Sequence, residues 1–281
     1  MFEVPRWTHI PIAIALLALL ALTGCEPPEE ENGADEGEAA EATEATTEDC
    51  AVTMGWDPWE PYHYLNPRGE VTGLDVELVR AAGEKLGCEV RFEQADFAEL
   101  LRMLRAGEVD LVPGATISPA REEFARFSIP YRDEDVYIWV RSGDRELLEN
   151  ADLARLLESE RRIGITEGFL YGDEAEGLLN DPDYADLLVE ARLTDLNLMR
   201  LVDHEVDAVL ADPYVVHTIQ RRLGLSGRIA ALETPVTEGE VSLMFSRESV
   251  DEELLADFNR ALETLQEDGT QERILQNYQV P

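Results

Sequence analysis

The fold of this chain is decided by residues 73–131, a stretch that begins GLDVELVRAAGEKLGCEVRF and ends TISPAREEFARFSIPY. Apolar residues recur at helical spacing in two segments of it, and each segment ends at a glycine. A short apolar run follows each helix, which is typical of a buried strand. A third helix begins after Ser118, a residue type that caps helix N-termini well. The predicted order is helix 76–86, strand 88–92, helix 97–105, strand 109–112 and helix 119–124.

The same alternation continues on both sides of this stretch. An apolar run at residues 50–55 leads into a segment, 56–62, that two prolines keep out of regular structure. Further elements are predicted at 162–165 (strand), 205–212 (strand), 240–245 (return strand) and 252–267 (helix). Strands that alternate with helices predict an α/β fold with mostly parallel sheets.

The motifs T-I-S-P-A-R at 116–121 and F-S-I-P-Y at 127–131, with the element order around them, resemble a known family. It is the amino-acid-binding branch of the periplasmic solute-binding proteins, family 3 of the bacterial extracellular solute-binding proteins, whose members serve ABC importers. The resemblance implies a type II, two-lobed α/β fold in which two mixed, mostly parallel sheets are joined by two crossing strands. It also implies lobe one from residues 50–138 plus 240–281, lobe two from 139–239, and a ligand held between the lobes.

A free amino acid presents a carboxylate and an ammonium group, and a site that excludes water must pair both. By the resemblance, Arg121 binds the ligand carboxylate, and Thr116 contacts the ligand through its amide and hydroxyl. Gly114 matches a position whose backbone carbonyl accepts from the ammonium. A guanidinium fork suits a carboxylate. The alternative is that Arg121 is a surface residue on the first turn of a helix, where the macrodipole slightly disfavours a cation.

The resemblance assigns the remaining contacts to lobe two and to the aromatic residues of lobe one. Asp212 matches the aspartate that takes the ligand ammonium, although Asp-Pro-Tyr also fits a plain turn. Trp59 matches an aromatic residue on which the ligand side chain stacks, with Tyr62 and Phe97 as companions; each also fits a core position. Asp57 stands where binders of basic amino acids often carry an acid, which hints at a cationic or polar ligand side chain.

One position departs from the family pattern. Gly168 matches the glycine of lobe two, which the family often follows with two small hydroxyl residues that bind the carboxylate. Here Phe169 and Leu170 follow it. The Gly168 backbone can still contribute, and the departure predicts a more apolar pocket or a ligand other than a standard α-amino acid.

The N-terminus carries the features of a lipoprotein signal peptide. Residues 10–22 form an apolar run too short for a comfortable membrane span, and Leu-Thr-Gly-Cys follows at once. This resembles a lipobox, so we expect residues 1–24 to be cleaved and Cys25 to carry the lipid. Residues 25–49 are rich in glutamate and hold no base, which predicts a disordered acidic tether. The expected location is the extracytoplasmic face of the cell membrane, or the periplasm, on a lipid anchor.

The other cysteines, Cys50 and Cys88, each open an apolar run. If these runs are neighbouring parallel strands, both cysteines lie at the same sheet end, and an oxidising compartment permits a disulfide. Two free buried thiols are the alternative. Too few cysteines and scattered histidines argue against a zinc site, and we expect no cofactor.

The formal net charge is −37, with Lys85 as the single lysine. Such a surface repels nucleic acid and anionic membranes. Because the acids are spread over the whole chain, we interpret them as an adaptation to high salt, where screening makes dense carboxylates tolerable; a specific cationic partner is the alternative.

The sequence therefore predicts a monomeric, lipid-anchored receptor, not an enzyme, that passes an amino acid or similar zwitterion to an ABC permease by hinge closure. Two alternatives stay open. Family relatives include dehydratases and a fused peptidoglycan lyase, and His63 is the histidine near the predicted cleft. A sensory module that docks on a partner receptor is the other alternative.

Overall fold

The computed structural model describes residues 50–278, so the predicted signal peptide, Cys25 and the predicted tether lie outside the described residues. The strands are β1 (Ala51–Trp56), β2 (Tyr64–Leu65), β3 (Val71–Thr72), β4 (Glu89–Gln94), β5 (Leu111–Ala115), β6 (Ala125–Phe127), β7 (Arg132–Arg141), β8 (Ile163–Thr166), β9 (Leu188–Ala191), β10 (Ala208–Ala211) and β11 (Ile229–Ser246). The helices are α1 (Leu74–Leu86), α2 (Phe97–Ala106), α3 (Pro119–Glu122), α4 (Arg145–Leu148), α5 (Leu153–Glu158), α6 (Asp173–Leu179), α7 (Thr194–Val202), α8 (Pro213–Leu223), α9 (Glu252–Glu267) and α10 (Thr270–Asn277), with a 3-10 helix at Pro182–Leu187.

Two groups of strands share one continuous path, in the order β4-β1-β5-β11-β7-β10-β8-β9, with β6 beside β11. In lobe one, β1 lies parallel to β4 and β5. In lobe two, β8 lies parallel to β9 and β10. The carboxyl ends of these parallel strands form the edge where α/β proteins bind ligands.

Strands β7 and β11 cross from one lobe to the other as an antiparallel pair. The first part of β11 pairs with β7, and Ser242–Ser246 pairs with β5 and β6 of lobe one. The return strand predicted at 240–245 is thus the end of an 18-residue strand. The predicted lobe boundaries, at 138 and 240, fall inside β7 and β11.

Helices cover the sheets with the apolar faces that their spacing predicts. Helix α1 buries Val76, Leu78 and Val79 against α9, which contributes Phe258 and Leu262. On the other side of the lobe-one sheet, α2 buries Phe97, Leu100 and Leu104. The helix predicted at 119–124 is shorter, because its regular turns end at Glu122.

A disulfide joins Cys50 and Cys88, whose Cα atoms are 4.5 Å apart. The two cysteines precede β1 and β4, which run parallel with Ala51 opposite Glu89. The bond therefore fixes the amino ends of two neighbouring strands in lobe one, at the sheet edge remote from the strand ends that carry the site.

Candidate functional site

Four loops that follow strand ends build the candidate site. Lobe one contributes the segment after β1 and the segment after β5, and lobe two contributes the segments after β8 and β10. Parallel strands place their carboxyl ends at one edge, which brings these loops together across the cleft between the lobes.

Three of these segments, those after β1, β5 and β8, enclose a cavity of about 20 Å³ together with Phe97 of α2 and Glu134 of β7. This is room for about one water molecule. Six of the residues that the sequence assigns to ligand binding line it: Asp57, Trp59, Phe97, Gly114, Thr116 and Arg121. The other five lining residues are His63, Pro113, Glu134, Phe169 and Leu170. Three further candidates, Tyr62, Gly168 and Asp212, lie outside this lining and contact other residues of the cleft.

Arg121 occupies the first turn of α3, where the Ser118 side chain caps the helix. Its guanidinium is buried, and it donates from Nη1 to the Thr116 carbonyl oxygen (2.8 Å) and from Nη2 to the Gly168 carbonyl oxygen (2.9 Å). Within residues 50–278 it forms no salt bridge with a carboxylate. Burial lowers the pKa of Arg121 to about 10, so the group remains cationic at neutral pH. A buried guanidinium whose side-chain hydrogen bonds go to backbone carbonyl oxygens is suited to receive a carboxylate.

Asp212 follows β10 and caps helix α8, where its Oδ1 accepts from the Val215 amide. Its Oδ2 accepts from the Tyr62 hydroxyl of lobe one at 3.0 Å. Burial, and then the nearby Glu134 carboxylate, raise the pKa of Asp212 to about 7. The Asp-Pro-Tyr segment is therefore a helix start, with the acid held at the cleft by its capping role.

Aromatic rings from both lobes meet beside Arg121. Trp59 packs on Tyr62, with ring centroids 4.6 Å apart. Phe169 of lobe two meets Trp59 at 5.6 Å and Phe97 at 5.1 Å, in both cases edge to face. Gly114 borders the same wall in the left-handed region, at φ +63°. A Cβ there would lie 3.5 Å from the Trp59 ring and 2.9 Å from Arg132 Nη2, so the wall leaves little room for a side chain.

A second arginine, Arg132 at the start of β7, lies buried below these rings. Its Nε donates to Asp75 Oδ1 (3.1 Å) and its Nη1 donates to Glu134 Oε2 (2.9 Å). The guanidinium also lies 3.9 Å from the centroid of the Tyr62 ring. Arg132 is thus neutralised by its own chain, in contrast to Arg121.

His63 lies close to Asp75, the partner of Arg132, and is 3 % exposed. Its Nδ1 lies 2.6 Å from the Asp57 carbonyl oxygen, and its Nε2 lies 3.9 Å from Asp75 Oδ2. Burial raises the pKa values of Asp57 and Glu134. Four carboxyl groups (Asp57, Asp75, Glu134 and Asp212) and two guanidinium groups lie in or beside this cavity.

Glu134 and Arg132 were not predicted as site residues, and both lie on β7, one of the two crossing strands. One signal was present in the sequence: Arg132 and Glu134 stand at i and i+2, positions that share one face of a strand. No group of three or more His, Cys, Asp or Glu side chains within residues 50–278 is arranged to hold a metal ion. In the same part of the chain, no helix is both long and apolar enough to span a bilayer.

Comparison with known proteins agrees with this architecture. Residues 52–280 match the model of the bacterial extracellular solute-binding proteins, family 3. The chain is 22 % identical over 278 residues to the probable amino-acid-binding protein YxeM of Bacillus subtilis, with 98 % of this chain and 96 % of that protein covered.

Two other similarities are to an enzyme and to a sensor domain. The membrane-bound lytic murein transglycosylase F of Ectopseudomonas mendocina is 26 % identical over 280 residues, which cover 94 % of this chain and 51 % of that enzyme. A solved histidine kinase sensor domain with similarity to periplasmic binding proteins superposes with a TM-score of 0.71 at 22 % identity, and the match covers 82 % of this chain and 96 % of that domain. The latter similarity shows the fold, which confirms the predicted type II two-lobed α/β class.

The family match extends over nearly all of the described residues, and so the chain belongs to the bacterial extracellular solute-binding proteins, family 3.

Proposed function

We propose that this family 3 solute-binding protein captures an α-amino acid or a similar zwitterion in the cleft and delivers it to an ABC importer. The observation that carries the proposal is the environment of Arg121: a buried guanidinium, in the cleft, whose hydrogen-bond partners are carbonyl oxygens. A ligand carboxylate gives this cation a charged partner and a bidentate fork.

The other end of the ligand is assigned to Asp212. Its carboxyl group lies buried at the lobe-two side of the cleft, and an incoming ammonium would stabilise its ionised form. Lobe one holds Arg121 and lobe two holds Asp212, so a zwitterion that contacts both favours closure of the hinge formed by β7 and β11. The ligand shifts that equilibrium only by its differential affinity for the closed form.

Binding of the standard amino acids to the full chain, measured by thermal shift and then by calorimetry in high salt, tests the proposal. Replacement of Arg121 with alanine should weaken binding by about 2–4 kcal/mol, or roughly 30- to 1,000-fold in Kd. Arg126→Ala is the matched control, because Arg126 is a half-buried arginine of lobe one that bonds to the Val250 carbonyl outside the cavity. Equal affinity in the two variants would overturn the assignment of Arg121.

The lipid anchor on Cys25 is a separate part of the proposal and rests on the Leu-Thr-Gly-Cys motif behind the apolar run. Cells that express the full chain should incorporate labelled fatty acid into it, and Cys25→Ser should abolish the label. Label retained in that variant would refute the anchor site.

An enzyme on the same scaffold is the second candidate, and the observation that favours it is His63 in the cavity lining. Its Nδ1 is close to a carbonyl oxygen and the ring is buried, which favours a structural role over proton transfer. Formation of a product from an aromatic carboxylic acid or from peptidoglycan, lost in His63→Gln, would reverse this ranking.

A further inference from the structure

We propose that Gly168 and Phe169 occupy the ligand's position themselves, so that a ligand enters only by displacing them. This pair is called the plug below. The proposal rests on the proposed function, because it concerns the same cleft, and its first test does not require a ligand.

The polar part of the plug is the Gly168 carbonyl. It accepts from Arg121 Nη2 at 2.9 Å, across the cleft from lobe two to lobe one. A carbonyl oxygen bears the partial charge that a carboxylate bears in full, so it satisfies the guanidinium without a counter-ion. A ligand carboxylate would replace this bond with a charge-assisted one.

The apolar part of the plug is the Phe169 ring. It fills the space between Trp59 and Phe97, with centroids 5.6 Å and 5.1 Å away and ring planes inclined by 87° and 76°. Edge-to-face pairs at these distances are favourable contacts. They leave the cavity of about 20 Å³, which is too small for any amino acid while Phe169 stays in place.

The backbone of the plug is seated against helix α2. Gly168 has φ +82°, and a Cβ at this position would lie 3.4 Å from Phe97 and 3.4 Å from Leu101. The close approach lets the carbonyl reach Arg121, and a side chain at this position would be strained. The residue after this glycine is Phe169, whose ring contacts Trp59 and Phe97 of lobe one.

Asp212, on the other side of the cleft, also has a hydrogen-bond partner from the chain itself, because the Tyr62 hydroxyl donates to it. The Gly168 carbonyl gives Arg121 a hydrogen-bond acceptor, and the Tyr62 hydroxyl gives Asp212 a donor. A zwitterion would supply the same two partners with its carboxylate and its ammonium. The observed Kd for a ligand is then its intrinsic Kd divided by the fraction of molecules in which the plug is displaced.

The first test measures the distance between lobes with no amino acid added. Spin labels are placed on the full chain at Glu93 of lobe one and Glu190 of lobe two, both exposed, with Cys25 replaced by serine so that the labels react only at the introduced cysteines. Phe169→Ala should shift the distances to longer values. Phe92→Ala, which removes an equally half-buried ring outside the cleft, should not. Unchanged distances in Phe169→Ala would overturn the plug.

The second test measures affinity for the standard amino acids by calorimetry. Removing the ring should tighten binding of at least one of them by about tenfold or more, because its two aromatic contacts no longer compete. Phe169→Leu keeps an apolar side chain at this position and should show a smaller gain in affinity. It provides the test if the alanine variant unfolds. If the wild type binds an amino acid, unchanged or weaker binding in both variants would overturn the competition.

The two tests separate the plug from the proposed function. Lobes that separate in Phe169→Ala, in a protein that binds no amino acid in any form, would support the plug and reject the amino-acid receptor. Amino-acid binding with identical affinity and lobe distance in wild type and both variants would reject the plug and leave the receptor intact.

Discussion

The Tyr62 hydroxyl of lobe one and the Asp212 carboxylate of lobe two are joined by a hydrogen bond of 3.0 Å, and both side chains are buried. The bond spans 150 residues of sequence and links two groups that belong to opposite walls of the cleft. Asp212 makes the cleft sensitive to pH, because burial raises its pKa to about 7, well above the value of 3.8 for an exposed aspartate.

Replacing Asp212 with asparagine should remove a pH-dependent part of the stability. A carboxyl group with a raised pKa in the folded state stabilises the fold fully below pH 4, and this contribution is lost as the pH rises to about 7. The difference in unfolding free energy between wild type and Asp212→Asn should therefore fall by up to about 4 kcal/mol from pH 4 to pH 7. Urea unfolding at several pH values measures it.

Tyr62→Phe tests the same titration a second way, with Tyr64→Phe as its control. The Tyr62 hydrogen bond lowers the pKa of Asp212, so its removal should move the titration to higher pH, whereas Tyr64→Phe, in the neighbouring strand β2, should leave it in place. A difference between wild type and Asp212→Asn that is flat with pH would contradict the assignment.

The disulfide between Cys50 and Cys88 should contribute about 4 kcal/mol to stability, as the chain-entropy model gives for a loop of about 40 residues. The double variant Cys50→Ser/Cys88→Ser should lose this amount in guanidinium unfolding. Reductant should destabilise the wild type by a similar amount and leave the double variant unchanged. A wild type that is insensitive to reductant in the unfolding transition would argue against the bond.

Removing Arg132 alone should be costly because its partner Asp75 is fully buried. Arg132→Met leaves that carboxylate without its cation and should lower the unfolding free energy by about 3–5 kcal/mol. Asp75→Asn/Arg132→Met should recover part of the loss, since position 75 no longer carries a buried charge, while Glu134 still lacks its partner. The exposed pair Arg91 and Glu89 is the control, and Glu89→Gln should cost far less than Arg132→Met, because solvent screens exposed charges. A double variant less stable than Arg132→Met would contradict this account.

The crossing strands carry acids that face each other: Glu238 lies opposite Asp135, and Glu240 lies opposite Asp133. Burial and the nearby Glu238 raise the pKa of Asp135. Glu238→Gln/Glu240→Gln should therefore stabilise the protein at low salt by about 0.2–1 kcal/mol per pair. The gain should vanish in 1 M salt, where the Debye length is about 3 Å.

The control for the salt effect is Glu190→Gln, because Glu190 is an exposed strand acid that lies opposite Ile165. It should change stability less than the double variant at low salt. A gain that persists in 1 M salt would exclude repulsion as its cause, and would weaken the interpretation of the acidic composition as an adaptation to salt.

Much of the fold could be predicted because its signals are local. Helix 252–267 was predicted with the bounds that α9 has, from apolar spacing and the Asp-Gly stop that follows. The strand predicted at 109–112 begins two residues later, at Leu111, because Gly107 and Glu108 still close the end of α2 and Asp110 precedes the regular strand, with its amide bonded to the Thr53 carbonyl. The length of β11 could not be predicted, since its acidic middle, Glu238–Glu240, lacks the alternation expected of a half-buried strand.

Within the cleft, residues that follow strand ends were predictable, and residues that meet through tertiary contacts were not. Arg121, Asp212 and Trp59 lie in or just after motifs that the family resemblance identifies, and their roles as ligand contacts stay predictions. The pairing of Arg132 with Asp75 joins positions 57 residues apart, and no spacing rule connects them. The role of Phe169 depends on its contact with Trp59 and Phe97, which exists only once the two lobes are assembled.

The path of β11 through both lobes has a consequence for the order in which the protein can be completed. Lobe two is made from a continuous middle portion of the chain, whereas lobe one needs the last part of β11 and helix α9, which buries Phe258 against Phe245. An emerging or translocating chain that stops before Ser242 has every strand of lobe two but lacks a strand of lobe one. The half that holds Arg121 is therefore finished last, and the cleft between the lobes is complete only when almost the entire chain has passed.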